Sequence, residues 1–214
     1  MAKVLTKALF AEMLKNALDK IEEKFDFLNE LDSATGDGDH GTAILSTMKA
    51  AVDVSKQQEV AFSQMLSAIG WGIMSATGGS TSSLTGSFYL GMEEAVKTEE
   101  LSPVDTAKMF AAGLNNVKAM TTAKVGDKTM MDALIPAVEA MKNGAEANSE
   151  ITLAELFEAA AKAAEEGVES TKDLVAKQGR AKNLGERSRG HYDAGAMSQS
   201  FIFRSFADTV AKAE

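Results

Sequence analysis

Only two prolines, Pro103 and Pro136, interrupt this chain of 214 residues. Between Gly-rich breaks run long segments of Ala, Leu, Met, Glu and Lys, which enter helices at little cost. No stretch sustains the two-residue alternation of a strand, so the chain reads as all-α. Phe10, Met13, Leu14, Ala17, Leu18, Ile21, Phe25 and Leu28 recur every three or four residues and mark the buried face of a first helix. Further helices are predicted over about 42–55 and over about 61–76, the latter with Met65, Leu66, Ile69 and Ile73 inward. A fourth runs from the Gly78-Gly79-Ser80 break to about residue 97.

Ser102-Pro103-Val104-Asp105 opens a fifth helix, to about Met120, with a capping serine, a first-turn proline and an acid three residues after the cap. Asp127 is read as the cap of a sixth, which Pro136 should kink or deprive of one carbonyl partner. Thr152-Leu153-Ala154-Glu155 is a capping box and starts a seventh. A Gly/Arg-rich loop over about 179–195 precedes the last helix, about 196–212. Eight helices of similar length, with no linker and no repeat, give one domain over 1–214.

Charge narrows the function. With 22 Lys and Arg against 31 Asp and Glu, the net charge is −9, which disfavours nucleic acid and anionic membranes as partners. The absence of cysteine removes disulfides, thiolate metal sites and cysteine nucleophiles. No unbroken apolar run reaches membrane-spanning length and no leader is visible, so a soluble, cytoplasmic chain is expected.

The connecting loops carry the chemistry. Residues 32–41 hold three aspartates, Asp32, Asp37 and Asp39, with Gly36, Gly38 and Gly41 among them. Three carboxylates brought together repel unless a cation neutralises them, and hard oxygen ligands suit Mg²⁺ or Ca²⁺. An EF-hand fails: counting from Asp37 or from Asp32, position 12 is Met48 or Ala43, not glutamate. Mg²⁺ completed by water and phosphate fits better, against the plain alternative of an Asp/Gly turn. Gly78-Gly79-Ser80-Thr81-Ser82-Ser83 opens a helix and can hold an anion on backbone N–H groups, although no Walker A lysine follows. In Gly126-Asp127-Lys128-Thr129-Met130-Met131-Asp132, a surface lysine and core methionines are the plain reading.

Three of the four arginines, Arg180, Arg187 and Arg189, cluster in the last loop. From Lys177 to Arg189 five basic residues face one acid, Glu186, in a region suited to phosphate. Both histidines, His40 and His191, also lie in these loops as turn, proton-transfer or substrate residues. In an up-and-down arrangement the loops near 32–41, 77–81, 121–128 and 179–195 reach the same end, as Mg²⁺–nucleotide binding requires.

These four loops, in order, resemble the nucleotide-binding L subunit of dihydroxyacetone kinase, of the type that depends on the phosphotransferase system. The resemblance rests on Asp32 with Gly36-Asp37-Gly38-Asp39-His40-Gly41, on Gly78-Gly79-Ser80, on Gly126-Asp127-Lys128-Thr129-Met130, and on Gly179-Arg180-Ala181 with Leu184-Gly185-Glu186-Arg187-Ser188. It implies an all-α, eight-helix antiparallel up-and-down barrel with ADP or ATP at one end. Mg²⁺, as two ions, would lie on Asp32, Asp37 and Asp39, which with Arg180 form the catalytic set. Nucleotide contacts would fall on His40, Gly41, Thr42, Ala43, Gly79, Ser80, Thr121, Met130, Arg180, Asp193, Ala194 and Gly195.

The resemblance also implies partners: a K subunit carrying dihydroxyacetone and a phosphohistidine-bearing M subunit, with a homodimer as a further association. The chain departs from the family pattern at four positions. Ala43 stands where Asn is common, Ser82 and Thr121 where Gly is, and Ala194 where Pro is; Ser82 is expected to place a side chain near the phosphates. Two other functions stay open: an ATP-dependent kinase subunit for another short ketose, and a nucleotide-sensing module that binds a transcriptional regulator.

Overall fold

The computed structural model describes residues 3–56, 59–76 and 79–213. Nine α-helices appear among them: α1 (Lys7–Glu23), α2 (Phe25–Ser33), α3 (His40–Ser55), α4 (Phe62–Ala76), α5 (Ser80–Ala95), α6 (Pro103–Met120), α7 (Met131–Ala147), α8 (Leu153–Thr171) and α9 (Ala194–Lys212). Two antiparallel two-residue strands, β1 (Leu5–Thr6) and β2 (Glu100–Leu101), tie the start of the chain to the α5–α6 connection.

The first expected helix is two. Lys24 breaks it, its N–H bonding back to Lys20 and Glu22, while the apolar spacing runs on unaltered to the buried Leu28. Periodicity alone therefore hides the break. Taken as one bent element, α1 and α2 restore the count of eight. Each element packs on the next in sequence, and α9 closes the ring against α1. The barrel is thus all-α, antiparallel and up-and-down.

Rings fill its middle. Phe10, Phe62, Phe88, Phe110, Phe157, Phe203 and Phe206 come from six helices and meet edge-on or tilted, with centroids 5.6–6.5 Å apart. Such contacts are worth about 0.5–1.5 kcal/mol each beyond the area they bury.

Pro136 lies inside α7, which continues through it. Its missing N–H leaves the Asp132 carbonyl without a helical donor. Gly167 of α8 packs its backbone directly against that carbonyl, where any Cβ would collide. Asp127 does not cap α7: the helix starts at Met131, and the Asp127 carboxylate instead accepts the Lys124 N–H at 3.1 Å. The expected loop over 179–195 is partly ordered, with a 3₁₀ helix over Arg180–Ser188 broken at Gly185 (φ 55°).

Candidate functional site

α2 ends in the acidic loop, and Asp32 folds that loop back on itself. Its Oδ2 accepts the N–H groups of Gly38 at 2.9 Å and Asp39 at 3.1 Å, and Gly38 takes up the positive φ of 76° the turn needs. The result gathers carboxylate oxygens of Asp32, Asp37 and Asp39 within 4.8 Å of one another. The guanidinium of Arg180, from the α8–α9 connection, makes an ion pair with Asp37. Three hard, close, partly exposed carboxylates are a fitting donor set for Mg²⁺.

α3 begins beside this cluster, and its 100° turn per residue sorts the predicted residues. His40 and Ala43 share the face toward a cavity of about 620 Å³. Gly41 and Thr42 turn away: Gly41 is buried under the Phe25 carbonyl, and Thr42 is exposed, its N–H bonded to Asn29. His40 Nε2 lies 2.9 Å from Ser198 Oγ. Burial holds its pKa below the usual imidazole range, against the pull of Asp32.

Gly79 and Ser80 also line the cavity, at the start of α5, while Gly78 lies outside the described residues. Gly79 takes φ 98°, and among the described residues no side chain caps the helix, an arrangement in which first-turn N–H groups can meet an anion. Ser82, expected near the phosphates, is buried at 1% exposure and does not reach the cavity wall.

The third loop contributes Thr121, Met130 and two residues that the motif reading undervalued. Asp132, fully buried, accepts Gly126 N–H at 2.6 Å and Thr129 N–H at 2.7 Å, and burial pushes its carboxyl pKa up. Lys128 is no surface lysine. It is 2% exposed, has φ 60° and lines the cavity. Neither burial was visible in sequence; an acid in the first turn of a helix was the one available hint for Asp132.

From the fourth loop come Gly179, Arg180, Asp193, Ala194 and Gly195. Asp193 caps α9, its Oδ2 accepting Ala196 N–H at 2.8 Å. Desolvation, helped by Asp132 and Asp32, pushes its carboxyl up to about 6 against the Ala196 bond and Lys128. Arg187 and Arg189 do not reach the cavity: Arg189 pairs with Glu186 at 3.1 Å and donates to the Asp173 carbonyl at 2.5 Å. His191 is exposed and likewise stands off it. Apart from Gly41 and Thr42, all the predicted site residues meet at one end of the barrel.

Comparisons with known proteins converge on one group. Residues 34–208 match the DAK2 domain. The chain is 32% identical over 194 residues to the ADP-binding subunit DhaL of PEP-dependent dihydroxyacetone kinase 1 of Listeria innocua, covering 89% of this chain and 90% of that one. It is 31% identical over 207 residues to the ADP-binding subunit DhaL of the PEP-dependent dihydroxyacetone kinase of Escherichia coli, covering 95% and 97%. The dihydroxyacetone kinase of C. freundii, crystallised with AMP-PNP and Mg²⁺, shares the fold with a TM-score of 0.70 at 22% identity. That match covers 97% of this chain and 35% of the crystallised one, so the chain spans about a third of that protein's length.

Proposed function

The chain belongs to the DAK2 domain family, and from that premise we propose that it is an ADP-binding phosphotransferase subunit of a PEP-dependent dihydroxyacetone kinase. It binds Mg²⁺ and ADP or ATP and passes the terminal phosphoryl group to dihydroxyacetone held on a separate K subunit. A phosphohistidine-bearing M subunit then rephosphorylates the bound ADP. The observation that carries this reading is the meeting of the Asp32, Asp37 and Asp39 carboxylates, Arg180 and the uncapped start of α5 around one cavity.

Each group has a distinct task. Asp32, Asp37 and Asp39 would hold the metal, which when bound neutralises phosphate charge. Arg180 offers paired N–H donors to phosphoryl oxygens, and the open N-terminus of α5 offers backbone ones. Met130 and Leu84 give the cavity an apolar wall for a base. Asp193 holds the start of α9 in place beside Gly195.

Reconstitution with a K subunit tests the assignment. With PEP and the phosphohistidine donors, we expect sustained turnover; with ATP alone, transfer should stall after one turnover. Sustained turnover on ATP would make this an ATP-dependent kinase subunit, and no transfer under either condition would overturn the reading.

A further inference from the structure

We infer that Lys128 is a positioning residue for phosphoryl transfer: its ammonium clips together both feet of the segment that carries Arg180 and so sets where that guanidinium sits. The inference rests on the reading of Arg180 as a phosphate-holding group.

Lys128 is the one non-glycine residue with positive φ among those described. Its side chain is buried, and its Nζ donates to the carbonyls of Thr171 at 2.7 Å, Leu174 at 3.3 Å and His191. An ammonium has three N–H groups, and each has its acceptor. Thr171 ends α8 and Leu174 follows it, while His191 stands two residues before the Asp193 cap of α9. Thr171 and His191 therefore bracket residues 172–190, with Leu174 just inside, and the clip closes at the neck of that segment. Further bonds fasten it to the turn that holds Lys128: Lys177 N–H to the Asp127 carbonyl at 3.1 Å, and Lys177 Nζ to the Gly126 carbonyl at 2.8 Å. Across the neck, Gly190 N–H donates to the Lys172 carbonyl at 2.8 Å.

Burial alone does not explain a lysine here. A buried ammonium is costly unless every donor is met, and an apolar side chain would leave carbonyls bare instead. Asp193 and Asp132 favour its charge while burial opposes it. Through His191 the same ammonium also anchors the approach to Asp193 and Gly195. One residue thus registers the arginine segment against the wall that faces the aspartates.

Lys128→Met keeps the stem and removes the ammonium. The segment 172–190 contains six tryptic sites, at Lys172, Lys177, Arg180, Lys182, Arg187 and Arg189. We expect cleavage there to rise about ten-fold with the helices intact, and transfer to the K subunit's dihydroxyacetone to fall about ten-fold. In an Arg180→Ala background the same substitution should lower transfer only about two-fold, through the approach to Asp193, because the main group it positions is gone. Cleavage at the unaltered rate, or a full additive loss of transfer in that background, would overturn the proposal.

Should Lys128→Met not fold, amide exchange on the unaltered chain decides. Slow exchange at residues 172–176 and 189–193 against fast exchange over 180–187 is expected; uniform exchange across 172–193 would refute the clip. Trypsin and exchange need no nucleotide. They can fail while Mg²⁺–ADP binding stands, and they can succeed where it fails.

Discussion

The two ends of the barrel are built by different rules. At the end away from the cavity, side chains close off the helix N-termini. Thr6 accepts Leu9 N–H, Ser102 accepts Asp105 N–H, and Thr152 and Glu155 complete a reciprocal capping box. Glu99 accepts the Phe62 N–H that opens α4. At the cavity end Asn29 accepts Thr42 N–H of α3 at 3.2 Å, Thr129 accepts Met131 N–H of α7 at 3.1 Å and Asp193 caps α9, while α5 has no side-chain cap among the described residues. Every described residue with positive φ, namely Gly38, Gly79, Gly126, Lys128, Gly179, Gly185 and Gly190, also lies at that end. One end closes its helix starts with nearby side chains, and the other gathers the positive-φ turns around the cavity.

The contrast extends to two arginines. Arg204 of α9 is clamped by Glu158 at 2.5 Å and by Glu165 at 2.8 Å on α8, and those carboxylates raise its pKa. Among the described residues Arg180 pairs instead with Asp37, a carboxylate of the acidic cluster. Arg180→Ala should therefore lower phosphoryl transfer about a hundred-fold with little change in melting temperature. Arg204→Ala should cost about 1 kcal/mol of stability, since the pair is partly exposed, and leave transfer unaltered. Transfer assays and thermal melts on both variants check this; equal effects on transfer would erase the distinction.

Glycine and cap substitutions sharpen it. Gly79 (φ 98°, ψ 177°) has open space where a Cβ would stand, so Gly79→Ala meets only backbone strain, about 1–3 kcal/mol in this glycine-only region. Because that strain falls on the uncapped start of α5, ADP affinity should drop several-fold. Thr152→Ala should cost about 1 kcal/mol in denaturant melts through the lost cap and leave ADP affinity as it was.

A pH dependence separates the ends as well. The folded pKa of Asp193 is raised to about 6, above the ordinary aspartate value of about 4. Between those values the folded state binds more protons than the unfolded one, so this group makes stability fall as pH rises through the window. Asp193→Asn keeps a capping oxygen and removes the titration. The stability difference between the two proteins should change from pH 4 to 6 and level off above; a flat difference would contradict the assignment.

Much of this was legible in the sequence because its signals are local. Capping pairs and three- and four-residue apolar spacing need only neighbouring residues, which is why Ser102, Thr152 and the core faces were read correctly. The aspartates and Arg180, which the structure brings together, stand out because their residue types and glycine spacing are unusual in an acidic helical chain. The surface reading of Lys128 fails because its partners lie on the end of α8 and the approach to α9, some forty to sixty residues away. The break at Lys24 was hidden because the hydrophobic period runs through it. Gly41 and Thr42 follow from the motif match alone, and the helical turn leaves them out of the cavity lining.

The central claim is that the acidic loop holds a divalent cation against a nucleotide that Arg180 also grips. Calorimetric titration of ADP into nucleotide-free protein with Mg²⁺ tests it directly, alongside Asp37→Ala. We predict saturable heat that disappears with EDTA and in Asp37→Ala, whose circular dichroism stays helical. No heat at any ADP concentration, or equal binding by Asp37→Ala, would contradict it.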